Sequence, residues 1–311
     1  MMRPAVHRVS IHEVAPRDGL QIEPVFLPTA QKVSLVDALA TTGITKIEVS
    51  SFVSPKSVPN LADAAQVFAR IKRNPAVIYS ALVANARGGL AAIAAGADEV
   101  NFVISASETH NRANVRKSCA ESFDHCRELA IALRGRRIRL NGTIATAFGC
   151  PFEGRQSAEK VLAFVDRYLS LGASGITLAD TTGMAHPAQV ADLVADVLQR
   201  CGGVPVTLHF HNTRGMGLAN VLAALGAGAT CFDASLGGIG GCPFAPGATG
   251  NVCTEDLVHM VEEMGIATGV DLAALLRIAR ELPGWLGHDV PGQVAKAGRS
   301  CDLHPSSFAN Q

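Results

Sequence analysis

The sequence predicts an α/β chain, a (β/α)8 TIM barrel with a short C-terminal helical extension. Three observations predict it. Eight short β-branched runs alternate with longer helical patterns. Four helical patterns close on similar glycine stops, each leading into an even-numbered run. Charged or metal-capable residues stand at the C-terminal ends of five runs, where a barrel of this type carries its active site.

The runs are residues 8–14, 46–50, 77–83, 99–104, 138–145, 175–179, 204–210 and 230–234. Between them lie helical patterns such as 29–41, 61–73, 157–171, 187–200 and 216–225. The glycine stops are Thr41-Thr42-Gly43-Ile44, Ala94-Ala95-Gly96-Ala97, Ser170-Leu171-Gly172-Ala173 and Ala224-Leu225-Gly226-Ala227. Their spacing suggests an internal (βα)2 repeat and favours a barrel over an open doubly wound sheet, which also lacks its G-x-G-x-x-G after the first run. Two further helical patterns, 256–264 and 271–281, follow Glu255. We therefore expect a catalytic barrel over residues 1–285 and a tail over 286–311, with no element predicted in its polar stretch from Gly292 onward.

With 311 residues and 48% hydrophobic content, the chain can bury a large core. A formal net charge of zero gives no pull toward nucleic acid or anionic membranes. No apolar segment is long enough to span a bilayer, and residues 1–7 lack the apolar stretch of a signal peptide. Eight cysteines without a C-x-x-C pair indicate neither a zinc knuckle nor a disulfide framework. The expectation is a reduced, cytoplasmic protein. Its low charged fraction, 17%, also allows a homodimer.

The chemistry starts from Leu208-His209-Phe210-His211-Asn212. Histidines two apart on a strand share a face, so one ion can bind both while Phe210 turns away. In isolation H-x-H reads equally well as a pair of core histidines. The other strand ends favour the metal. The first run leads into Glu13-Val14-Ala15-Pro16-Arg17-Asp18-Gly19-Leu20-Gln21, the second carries Glu48, and the sixth ends at Asp180. After the eighth come Gly237-Gly238-Ile239-Gly240-Gly241-Cys242-Pro243 and Thr249-Gly250-Asn251. Asp18, His209, His211 and Asn251 make a mixed N/O donor set for a divalent ion, Mg2+ or Mn2+ rather than structural zinc. Arg17 is placed to stabilise an oxyanion such as an enolate, or else to form a rim salt bridge with Glu48 or Asp180. Cys242 follows a glycine run that can move over a site, where a thiol can exchange a proton with carbon.

These blocks resemble 3-hydroxy-3-methylglutaryl-CoA lyase, as do Ser51-Phe52-Val53-Ser54-Pro55-Lys56, Gly149-Cys150-Pro151-Phe152-Glu153-Gly154 and Thr254-Glu255-Asp256-Leu257. The likeness runs in order from about residue 8 to about residue 280. It implies retro-Claisen cleavage of a 3-hydroxyacyl-CoA thioester to acetyl-CoA and acetoacetate, as in leucine degradation. It also implies Mg2+ or Mn2+ on Asp18, His209, His211 and Asn251, and Arg17 steadying the enolate. Cys242 would donate or accept a proton, His209 would join the relay, and Glu48 and Asp180 would be polar active-site groups.

The chain departs from the family pattern at four places. His211-Asn212-Thr213-Arg214-Gly215 stands for H-D-T-Y-G, Ile22 for Asn, Thr143 for Tyr and Ala179 for Gly. These changes leave the reaction type intact and open the acyl group, so citramalyl-CoA and longer 3-alkyl-3-hydroxyglutaryl-CoA thioesters are alternatives. A Claisen-condensing synthase on a similar barrel is the other rival. Such synthases generally carry a long C-terminal extension, and only a short stretch follows Glu255 here.

Overall fold

The structure is a computed structural model describing residues 6–241 and 250–303. Eight parallel strands close a barrel: β1 (Ser10–Glu13), β2 (Lys46–Ser51), β3 (Ile78–Val83), β4 (Glu99–Ser105), β5 (Arg139–Ala145), β6 (Gly175–Asp180), β7 (Val206–Phe210) and β8 (Cys231–Ala234). Each neighbours the next in sequence, and β1 pairs with both β2 and β8. The open sheet is thereby excluded.

Helices cover the outside: Thr29–Leu39, Ala64–Arg70, Ala86–Ala94, Glu108–Val115, Cys119–Leu133, Ala158–Ser170, Pro187–Cys201 and Gly217–Gly226. Serine begins several of them. Ser107, Ser118 and Ser157 each accept a backbone N–H of the first turn, and Ser118 forms a full capping box with Glu121. Three of the expected glycine stops, Gly43, Gly96 and Gly172, are left-handed, with φ of 89°, 90° and 84°. The fourth falls two residues later than expected. Gly226 is still helical, and Gly228 takes the turn with φ 98°. There Gly228 N–H donates to Leu225 O and Ala229 N–H to Ala224 O, the same pattern that Gly96 and Gly172 begin.

Inside and outside are locked together by large side chains at small ones. Tyr168 lies against Gly142, where an added Cβ would meet its ring at 2.4 Å. Its hydroxyl donates to the carbonyls of Phe102 and Thr143. The barrel interior is more polar than the cost of burying polar groups suggests, and the groups answer one another. Lys46 pairs with Glu99, and Asn141 donates to Thr143 and Thr177.

Beyond the barrel come helices Thr254–Glu263, Leu272–Ala279, Leu282–Leu286 and Val294–Ala297. The last lies in the stretch where no element was expected. It is fixed because Asp256 accepts the backbone N–H of both Gln293 and Val294, while Gly292 N–H donates to Gly237 O. The tail thus returns to the loop after β8.

Candidate active site

The site is built from the C-terminal ends of the strands. β1 passes directly into a wide helical turn, Ala15–Gly19, in which the N–H groups of Arg17, Asp18 and Gly19 all donate to Val14 O. Glu13 anchors the turn from below. Its carboxylate is fully buried and accepts from Ala15 N–H, Leu236 N–H and the Thr254 hydroxyl at 2.8–2.9 Å. One side chain therefore ties the turn carrying Arg17 and Asp18 to the loop that follows β8. Gly19 is needed there, since a Cβ would meet Ile239 at 2.7 Å.

On β7, Phe210 packs outward against Phe148, and His209 and His211 face inward as their spacing predicts. The chain after β8 brings in the fourth donor. Asn212 N–H donates to Gly250 O and Val252 N–H to Phe210 O, which lays Asn251 beside His211. Gly250 has φ 112°, and a Cβ on it would fall 1.9 Å from Gly238 O. Gly237 to Gly240 are buried and tightly packed. For Gly237, Gly238 and Gly240, glycine serves close approach and a left-handed backbone. Cys242 lies outside the described residues.

Ligand atoms of Asp18, His209 and His211 lie within 4.8 Å of one another. The two Nε2 atoms are 3.1 Å apart, and Asp18 Oδ2 stands 3.9 Å from His209 Nε2 and 3.7 Å from His211 Nε2. Asn251 donates to Asp18 Oδ2 at 2.7 Å and to Ile239 O, leaving its own buried Oδ1 with no partner. Two imidazoles and a carboxylate converging on one point, with an orphaned amide oxygen on the residue bonded to that carboxylate, fit a divalent cation.

Protonation follows from the surroundings. Burial would raise the Asp18 carboxyl, but Arg17 and the two histidines hold it down at about 2. Burial drives His211 down to about 4, which leaves its ring neutral and able to bind a cation. Burial would also lower His209, but a hydrogen bond to Asp233 and the charge of Asp18 raise it. Arg17 is gripped from both sides, Nε to Glu48 and Nη1 to Asp18, and Asn101 donates to the other Glu48 oxygen at 2.6 Å. Burial works against the guanidinium charge, and Glu48 with Asp18 outweighs it.

Of the two partners weighed for Arg17, Glu48 is found and Asp180 is not. Asp180 instead accepts the N–H groups of Met184 and Ala185, bracing the turn after β6, and its buried Oδ2 is unpartnered. Burial pushes its carboxyl up to about 6. It is absent from the described residues that line the cavity over the site. That cavity, about 610 Å³, is lined in part by Arg17, Asp18, Glu48, His209 and His211. Arg116 and Lys117 also line it, on the connection that follows Glu108–Val115.

Asp233 was not singled out from the sequence. It lies on β8 in register with His209, with one oxygen 3.2 Å from His209 Nδ1 and the other 3.4 Å from His12 Nδ1. The histidines hold its carboxyl well below the ordinary range despite burial. A lone Asp between Phe232 and Ala234 carries no signal of its own; the signal was the H-x-H, whose back nitrogen needs an acceptor.

The family model described as HMGL-like matches residues 8–282. An (R)-citramalyl-CoA lyase from Chloroflexus aurantiacus is 45% identical over 93% of this chain and 95% of its own length. A hydroxymethylglutaryl-CoA lyase from Bacillus subtilis is 42% identical over 96% and 99%. Among solved structures, an HMG-CoA lyase from Acinetobacter baumannii, in complex with coenzyme A and 3-methylmalate, superposes with a TM-score of 0.94. It is 55% identical, covering 96% of this chain and 98% of that one. The chain belongs to the HMGL-like family and is an enzyme of the lyase class.

Proposed function

We propose that the protein cleaves 3-hydroxy-3-methylglutaryl-CoA to acetyl-CoA and acetoacetate. The observation that carries this reading is the convergence of Asp18, His209 and His211 beside Arg17 in one cavity, with Asn251 bonded to Asp18 and its own Oδ1 unpartnered. It occurs in a chain about two-fifths identical to lyases named for that substrate.

Asp18, His209, His211 and Asn251 would hold Mg2+ or Mn2+, which when bound supplies Lewis acidity to the substrate's oxygens. The other tasks fall to this chain's side chains. Cleavage removes the proton of the tertiary hydroxyl, breaks the C2–C3 bond and leaves an enolate that is protonated at C2. Arg17, its Nε and Nη1 committed to Glu48 and Asp18, keeps further N–H donors for the enolate oxygen. Glu48 orients Arg17, and His209 joins the proton relay. Asp180 braces the β6 turn. Cys242, matching the family's proton donor or acceptor, would deliver the proton to C2.

A second reading, citramalyl-CoA, is supported by the 45% identical relative of that name. The low charged fraction fits a homodimer, and the reaction fits a place in leucine degradation. The test is a panel of 3-hydroxy-3-methylglutaryl-CoA, citramalyl-CoA and longer 3-alkyl analogues with Mg2+ or Mn2+, following acetyl-CoA release. Fastest cleavage of the first is expected; a higher kcat/KM for another member would displace it. CoA release from acetyl-CoA and a 2-keto acid, without cleavage of any panel member, would replace the lyase by a synthase.

A further inference from the structure

A second cavity, about 600 Å³, opens at the opposite end of the barrel. It lies between the ends of helices Cys119–Leu133 and Ala158–Ser170 and the start of β5. Its volume is in the range of small-molecule sites. β5 runs from Arg139, at this cavity, to Ala145, at the active-site cavity, a rise of about 20 Å. The two cavities are therefore separate.

Arg127, Arg134, Arg136, Arg137 and Arg139 line it, and among the described residues no Asp or Glu does. The whole chain balances 27 lysines and arginines against 27 acids, so this excess is local. The fold gathers it in one turn. Helix Cys119–Leu133 stops, Gly135 takes φ 75°, and Arg136 N–H donates to Leu133 O, leaving Arg134, Arg136 and Arg137 exposed together. Two of the arginines have local work. Arg127 pairs with Asp124, and Arg136 Nε donates to Ala132 O at the negative end of the helix. Among the described residues the guanidinium groups of Arg134 and Arg137 have no protein acceptor. Like charges held together without a counter-charge repel one another, and a bound anion removes that cost. Guanidinium forks stay charged and grip phosphate oxygens in pairs. Several forks around one cavity call for an anion with oxygens on more than one phosphorus centre. A nucleic-acid strand needs an open basic groove along its backbone, which a confined cavity does not supply.

We infer that this cavity binds a small oligophosphate, the chemistry shared by inorganic tripolyphosphate and nucleoside triphosphates, with Arg134 and Arg137 as its main contacts. The site stands apart from the acyl-CoA cavity and does not depend on the proposed lyase reaction. Ile131, Ile138 and Leu171 in the lining offer apolar surface to a base, which inorganic tripolyphosphate lacks.

Calorimetric titration of the full, metal-free chain with tripolyphosphate and with ATP, at physiological salt, tests the assignment. Saturable binding is expected, weakened about tenfold or more by Arg134→Gln or Arg137→Gln. Arg17→Gln and Lys117→Gln, which alter the active-site cavity, should leave it within about twofold of wild type. Circular dichroism confirms the fold of each variant. Tighter binding of ATP than of tripolyphosphate identifies a nucleotide as the ligand; equal or weaker binding identifies the inorganic chain. Absence of saturable binding, or wild-type affinity in both Arg134→Gln and Arg137→Gln, would overturn the site. So would loss confined to Arg17→Gln or Lys117→Gln, which would place the anion in the active-site cavity. Capture of single-stranded RNA or of phosphatidylserine vesicles, with neither small anion bound, would also overturn it.

Discussion

Asp233 Oδ2 stands 3.2 Å from His209 Nδ1, so the carboxylate fixes which imidazole nitrogen carries the proton and which faces Asp18 and His211. The parallel register pairs these two residues directly across β8 and β7. Orientation of a ligating histidine by a buried carboxylate contributes to affinity as well as geometry.

Asp233→Asn should therefore lower Mn2+ affinity about 10- to 100-fold. Calorimetric titration of the chelator-treated variant measures it, with circular dichroism confirming the fold. Unchanged affinity would show that His209 needs no such partner.

Arg17→Gln removes the cation that Glu48 and Asp18 share. Turnover should fall about a thousandfold or more while a bound Mn2+ is retained, since Arg17 is not a ligand. If loss of metal accounted for the whole decline, the role in enolate stabilisation would be wrong.

Gly250 holds φ 112° with no room for a side chain beside Gly238 O. Gly250→Ala should cost roughly 2–4 kcal/mol and displace Asn251 from the site. Urea unfolding gives the first and Mn2+ titration the second. A variant with wild-type values for both would contradict the close-packing role.

His110 is buried beside Phe152, and burial lowers its pKa to about 4. The unfolded chain, near 6.5, then binds the proton more readily between those values. Stability from neutral His110 is complete above pH 6.5 and is lost as pH falls toward 4. His110→Phe should remove that slope, so wild type should lose roughly 3 kcal/mol relative to the variant between pH 7 and pH 4. Urea midpoints at several pH values measure the difference; parallel profiles would contradict it.

The strands were legible because each is a compact β-branched run, and six of the nominated site residues lie where the strand ends predicted. Asp18, His209, His211 and Asn251 converge, and Arg17 meets Glu48. Asp180 adds something the strand-end pattern does not contain: one of its carboxylate oxygens braces the turn that follows the strand. Helix Ala86–Ala94 was marked in the sequence only by its glycine stop at Gly96, since Gly88 and Gly89 depress its propensity. Both glycines answer packing, as added Cβ atoms would meet Phe52 O at 2.3 Å and Leu129 at 2.5 Å. Asp233 and His12 were hidden for a related reason. Their roles arise from register between β1, β8 and β7, which a single strand's pattern does not contain.

The central claim is that Asp18, His209, His211 and Asn251 form one divalent-cation site on which acyl-CoA cleavage depends. Acetyl-CoA release from 3-hydroxy-3-methylglutaryl-CoA by chelator-stripped protein, titrated with Mn2+, tests it most directly. The account predicts no release without metal and activation that saturates at one ion per chain. Full cleavage by the stripped protein would contradict it.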